Sequence, residues 1–226
     1  IKIHVPTLGE ICEFGEQEYL SMVYALCSVG ADLKWQLDEI GIDYTTISDW
    51  ELFVHIISKS LPKEKTHLLL GCKIDFPKYT VCKVKESDKL ILFDTENNLM
   101  IDEGIYLDIV KHVRQMHYLK RNSEKPGNEA TKRILIEDAK MEFERNKKNR
   151  RKSYLLPLIS TMVNIEGFKR DDKSVFDMNI FAFMDSVQRV SRIKESGLLL
   201  QSGYSGFGVD LSKVNKDILN YMGELS

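Results

Sequence analysis

Through the first third of the chain, apolar side chains recur at helical spacing. Tyr19, Leu20, Val23, Tyr24 and Cys27 fall on one face and predict a helix that Gly30 stops. Leu33, Leu37 and Ile40 repeat the pattern in a second, shorter helix ending at Gly41. A third starts at a capping box, Ser48 with Glu51. Trp50, Phe53, Val54 and Ile57 then form a single apolar stripe before Leu61-Pro62 ends it.

The middle of the chain changes period. Leu68 to Leu70, Tyr79 to Lys85 and Lys89 to Asp94 are short runs of β-branched and apolar residues, separated by Asp75-Phe76-Pro77 and Glu86-Ser87-Asp88. They predict a small antiparallel sheet. Beyond Asp102, the stripe Tyr106, Ile109, Val110, Val113 and Met116 predicts an amphipathic helix that packs on the sheet or the first helices and ends near Lys120.

Residues 121–129 are polar and rich in breakers (Asn122, Ser123, Pro126, Gly127, Asn128), the best candidate boundary in the chain. From Ala130 to about Lys152 the sequence favours a helix with Glu137, Lys140, Glu144 and Lys148 spaced for ion pairs on an exposed face. Its few apolar residues, Ile134, Leu135, Met141 and Phe143, predict shallow burial. Tyr154 to Val163 predicts an apolar helix closed by Asn164 to Gly167. A longer one carries Ile180, Met184, Val187, Val190 and Ile193 on one face, leaves Gln188, Arg189, Arg192 and Lys194 outside, and ends at Gly197. Gly203, Gly206 and Gly208 then form a flexible connector to a last short helix from about Ser212 to Met222.

This pattern gives an α+β protein, mainly α. A helical unit with a small antiparallel sheet spans 1–122, a hinge and basic helix 123–153, and a helical unit 154–226. With 226 residues, 43% of them hydrophobic and 29% charged, the chain matches a globular protein and not a disordered or membrane-spanning one. The start lacks a basic region followed by a long apolar segment, so the chain is expected to be soluble and without a cleaved leader. Cys12, Cys27, Cys72 and Cys82 contain no C-x-x-C pair, which favours a reducing compartment.

The net charge is only −2, yet it is unevenly placed. Arg145, Lys147, Lys148, Arg150, Arg151 and Lys152 crowd six cations into eight residues and leave the rest of the chain at −8. Such a cluster repels itself unless solvent, acids or phosphates neutralise it. It lacks interleaved aromatics apart from Tyr154, and a helix C-terminus itself favours cations, so a solvated helix end or an acidic protein partner outweighs nucleic acid.

No catalytic or metal pattern emerges. His112 and His117 are five apart, about 140° around a helix, and do not share a face. Cys72 and Cys82, with His67, could offer zinc ligands across the sheet, but free cysteines more often pack as small hydrophobes. Gly203-Tyr204-Ser205-Gly206 lacks the frame of a nucleophile elbow, and with Gly208 it misses the spacing of a phosphate-binding loop. Asp102-Glu103 and Asp171-Asp172 read as turn and helix-start residues.

Three stretches carry a resemblance. They are Ile40-Gly-Ile-Asp-Tyr-Thr-Thr-Ile-Ser-Asp-Trp-Glu-Leu-Phe53, Lys120-Arg-Asn-Ser-Glu-Lys-Pro-Gly-Asn-Glu-Ala-Thr-Lys132 and Phe183-Met-Asp-Ser-Val-Gln-Arg-Val190. They resemble tail-assembly proteins of tailed phages of Gram-positive bacteria, the kind encoded between the tail-tube and tape-measure proteins. The likeness extends from about Val5 to Val209. It implies a non-catalytic chaperone in the host cytoplasm that keeps a tape-measure protein soluble and gathers tail-tube subunits, with no cofactor, no metal and no membrane. The six cations at 145–152 are the expected partner-binding residues. A nucleic-acid-binding adaptor using the same cluster and a permanent structural part of the tail are the alternatives.

Overall fold

The structure, a computed structural model, describes residues 2–61, 63, 66–84, 89–146, 152–205 and 208–225. Two short helices open it, α1 (Leu8–Phe14) and α2 (Glu16–Cys27). Thr7 and Glu10 form a capping box at the start of α1 that the sequence reading passes over. A 3₁₀ turn at Gly30–Leu33 leads into α3 (Lys34–Glu39). A Cβ on Gly30 would lie 2.3 Å from the Tyr44 carbonyl oxygen, so this close approach requires glycine.

The capped third helix forms where Ser48 and Glu51 predict it. It runs as α4 (Asp49–Leu52), a π-helical turn (Phe53–Ile57) and α5 (Ser58–Ser60). The run Leu68 to Leu70 is a correction: it lies in α6 (His67–Leu70), not in a strand. All three leucines are buried, and Gly71, at φ +66°, turns the chain out of the helix in the left-handed conformation.

The sheet is an antiparallel meander of β1 (Thr80–Lys83), β2 (Leu90–Asp94) and β3 (Leu99–Ile101), in that order. Val81 opposes Leu92, and Leu92 opposes Ile101, which puts Leu92 and Ile101 in the core. Residue 85, expected at a strand end, lies outside the described residues. After the sheet, α7 (Glu103–His117) starts at Asp102, whose carboxylate accepts the Ile105 N–H at 2.9 Å. It buries Tyr106, Ile109, Val110, Val113, Met116 and His117, the stripe that the sequence predicts plus one histidine.

Aromatic rings join these pieces. Phe53 contacts Tyr106 at 4.5 Å, Phe76 at 5.4 Å and Trp50 at 5.8 Å between ring centroids. The Trp50 indole N–H donates to the Leu90 carbonyl at 3.0 Å and so ties the capped helix to the sheet.

The polar stretch 121–126 is pinned to the first helices. Arg121 grips Asp49 with two hydrogen bonds of 3.0 and 3.1 Å, Asn122 donates to Asp32, and Lys34 pairs with Glu124. Next, α8 (Glu129–Asn146) buries no residue and leans on α3 through Trp35 against Phe143 and through Lys140–Glu39, 2.7 Å. Lys140 was expected to pair along its own helix; it reaches across to α3 as well.

In the last third, α9 (Leu155–Val163) begins on Glu16. That carboxylate accepts the main-chain N–H groups of Tyr154 and Leu155, at 2.6 and 2.8 Å, and the Ser153 hydroxyl. A 3₁₀ turn (Ser174–Asp177) precedes α10 (Ile180–Tyr204), capped by Asn179. The start of the chain holds this junction: the Leu8 N–H donates to Met178 and the Ile180 N–H to Pro6. Leu155, Ile159, Met162, Val175, Ile180, Phe183 and Met184 enter the same hydrophobic cluster as the aromatic group. The chain is therefore α+β and mainly α, with a core that draws on both its early and late segments.

The expected stop at Gly197 does not occur. The helix continues to Tyr204, and the end predicted from that glycine is corrected by seven residues. A lone glycine inside a helix costs about 1 kcal/mol, which a long packed helix absorbs. A Cβ at Gly197 would meet nothing within 4 Å, so Gly197→Ala should raise stability by about 0.5–1 kcal/mol. Urea denaturation checks this; a destabilised variant would contradict it. The chain then ends in a 3₁₀ turn (Leu211–Lys213), α11 (Lys216–Leu219) and a strap running to Leu225 along α10. Residues 206 and 207 of the glycine-rich connector lie outside the described residues. Among the described residues, no helix is long and apolar enough to cross a membrane.

Candidate functional site

A groove of about 730 Å³ lies between α7 and α10. Its apolar surface is Leu107, Val110, Leu119, Phe181 and Leu225. Two of these are large side chains left in water: Leu107 is 46% and Phe181 44% exposed. Tyr118 shapes the floor. It sits just past α7 at φ +53°, a conformation that few tyrosines adopt, and stacks on Phe181 with 6.2 Å between ring centroids. Its hydroxyl donates to Asp185 on α10 at 2.6 Å. Burial, and then that bond, push the Tyr118 phenol up to about 12, so it stays a donor through the neutral range.

Among the described residues that line the groove the charged ones are all basic, Lys111, Arg114 and Lys120; the nearby Asp185 carboxylate is engaged by the Tyr118 hydroxyl. Arg114 is committed to the Cys27 carbonyl at 2.6 Å. Lys111 and Lys120 are exposed and have no ion-pair partner among the described residues. An apolar trough with free cations at its rim suits an amphipathic segment flanked by acids.

Two other depressions lack this bias. One, of about 390 Å³, lies by β3 beside Leu99 and Met100, but its lysines are matched by acids: Lys63 and Lys78 lie 3.8 and 3.9 Å from Asp75. The other, by Tyr44, is lined by Arg121, Lys125 and Lys132 and by the acids Asp49, Glu124 and Glu129, with Arg121 and Lys132 already paired with Asp49 and Asp43.

The two expected site residues that the structure describes fall elsewhere. Arg145 is exposed in the last turn of α8, and Lys152 is exposed just before α9. Lys147, Lys148, Arg150 and Arg151 lie outside the described residues. Neither described member lines the groove. The groove cations escape the sequence reading because they are spread over ten positions of α7 and the turn after it, and the apolar trough beside them forms only when Phe181 of α10 packs against Tyr118. The usable signal was Lys111 and Arg114, three apart on the polar side of an amphipathic helix.

Among the described residues, no three His, Cys, Asp or Glu side chains gather where they could hold a metal ion. Cys72 is exposed after α6, and Cys82 is half-buried on β1. His112 points to solvent and His117 into the core, as their spacing requires. Comparison with protein-family models, with curated proteins and with solved structures gives no match.

Proposed function

We propose that the chain is a non-catalytic binding protein of phage tail assembly, in which the groove between α7 and α10 captures an apolar helix flanked by acids from a tape-measure or tail-tube protein. The observation that carries this reading is the groove itself, with exposed Leu107 and Phe181 beside unpaired Lys111 and Lys120. The resemblance of residues 40–53, 120–132 and 183–190 to tail-assembly proteins supplies the biological setting. Long helical clients need their apolar faces covered until they assemble, and helix-in-groove docking does this with few specific contacts.

The test is a titration of peptides tiling the tape-measure protein, followed by fluorescence anisotropy. An acid-flanked apolar peptide is expected to bind. Lys111→Glu with Lys120→Glu is expected to weaken it about tenfold or more at low salt, since both charges turn repulsive. Equal affinity in the double variant would overturn the reading. Binding of generic duplex with a steep salt dependence, lost on replacing Arg145 and Lys152 by Glu, would move the function to the nucleic-acid adaptor. Recovery of the chain in finished virions would make it a structural tail component.

A further inference from the structure

Arg189 and Arg192 lie one turn apart on α10, where the sequence pattern places them in solvent; both are half-buried under the C-terminal strap. Arg189 donates through Nη1 to the carbonyls of Tyr221 (2.6 Å) and Gly223 (2.9 Å). Arg192 donates to the carbonyls of Glu224 (2.7 Å) and Asp217. Ser196, 1% exposed, donates to the Ile218 carbonyl at 2.5 Å. Every acceptor is a neutral main-chain oxygen.

Neither guanidinium has a carboxylate within ion-pair distance among the described residues. Asp185, one turn before Arg189, is taken by the Tyr118 hydroxyl. The Arg192 Nε–H is buried with no hydrogen-bond partner among the described residues. A guanidinium binds a carboxylate through two parallel charge-assisted bonds, roughly twice as strong as neutral ones, and Nε is one of the donors it presents. These two arginines are therefore held by weaker acceptors than their chemistry favours.

The strap itself is lightly held. No residue of its 3₁₀ turn or of α11 is buried, and Tyr221 and Met222 stand in water. Its one apolar anchor near the end is Leu225, which forms part of the groove wall. Leu211, Val214, Ile218 and Leu219 are only half-buried, and a terminal segment with no fully buried apolar side chain belongs to the low-stability end of a structure.

We infer that Arg189 and Arg192 form the acid-recognising end of the docking surface, and that the strap occupies them in the free chain until a partner's carboxylates displace it. The inference rests on the proposed groove. The partner it selects is an amphipathic helix carrying glutamates or aspartates beyond its apolar face, so binding and strap release are one event.

The test uses the full chain and a labelled helix-forming peptide with leucines on one face and glutamates at its flanks. A glutamine-flanked twin serves as control. Hydrogen exchange of residues 211–225 is expected to speed up about tenfold or more when the glutamate peptide binds, and much less with the glutamine twin. Ser196→Ala removes the Ile218 bond that holds the strap, touches neither arginine and lies outside the groove lining; it should bind the glutamate peptide about three- to tenfold tighter, because less of the protein is closed. If the wild-type chain binds while strap protection and the Ser196→Ala affinity stay unchanged, the groove stands and the strap inference falls. Equal release by both peptides would overturn the role of the arginines. If neither the wild-type chain nor Ser196→Ala binds the peptide, the groove reading falls and takes the inference with it.

Discussion

Phe53→Ala is expected to lower folding stability by about 3–5 kcal/mol, the range for deleting a buried aromatic side chain. Phe53 is fully buried at the start of the π-helical turn, and its ring touches Trp50, Tyr106 and Phe76. Those partners come from three separate segments: the capped helix, α7, and the turn before β1. No single neighbour can collapse into the space without pulling on the other two, so the cavity term stays. With a total stability of about 5–15 kcal/mol, the loss leaves the protein near its threshold. At about 2–4 °C per kcal/mol for a chain of this size, Tm should fall by roughly 6–20 °C. Ile40→Ala, at a position 61% exposed, should change stability by less than about 0.5 kcal/mol and serves as the control. Similar losses in the two variants would contradict the placement of the core.

The second large effect is a pH dependence at His117. This histidine is buried on α7, and both ring nitrogens are used: Nε2 lies 2.8 Å from the Tyr19 hydroxyl and Nδ1 2.7 Å from the Val113 carbonyl. Burial drives the Tyr19 phenol far above its ordinary value, so it remains a donor. The neutral imidazole then accepts at Nε2 and donates from Nδ1. Burial also holds the His117 pKa below its ordinary 6.5, with the Val113 bond opposing that shift.

The unfolded chain therefore takes up this proton near pH 6.5 and the folded chain only at lower pH. Between the two values the unfolded state binds more protons, so stability falls as pH drops below about 6.5, by up to about 1.4 kcal/mol per unit, until the folded pKa is reached. Above pH 6.5 the histidine adds no slope. His117→Gln keeps a side chain that can meet Tyr19 but cannot titrate. Urea denaturation at about pH 7.5 and 5.5 should show a smaller pH loss in the variant, and the same loss in both would contradict the assignment.

Much of the fold was legible because local chemistry and tertiary packing agree there. The Ser48 and Glu51 cap, the apolar stripe of α7 and the hairpin of β1 and β2 all form where their sequence signals lie. Leu68 to Leu70 misled because a short run that is apolar on every side has no readable period; burial of all three leucines satisfies a helical turn as well as a strand. Gly197 misled because a glycine breaks a helix only when packing on either side fails to hold it.

The candidate site was less legible. Leu107 and Phe181 are neighbours only because α7 and α10 pack together, and nothing local to either residue announces a groove. Arg189 and Arg192 looked like ordinary solvent-facing positions because the strap that covers them comes from a later segment and binds through its carbonyls, which carry no side-chain signal. The 145–152 cluster drew attention by sequence density alone.

The central claim is that the groove between α7 and α10 holds an acid-flanked apolar helix of a tail protein. The most direct measurement is site-specific photo-crosslinking: a crosslinking side chain at Leu107, in cells producing the full chain together with tape-measure and tail-tube proteins, with a matched probe at exposed Met141 on α8. The account predicts crosslinks from position 107 into a tape-measure or tail-tube segment whose apolar face is flanked by acids, lost when Lys111 and Lys120 are changed to Glu. Absence of any tail-protein crosslink from position 107, or equal crosslinking from position 141, would contradict it.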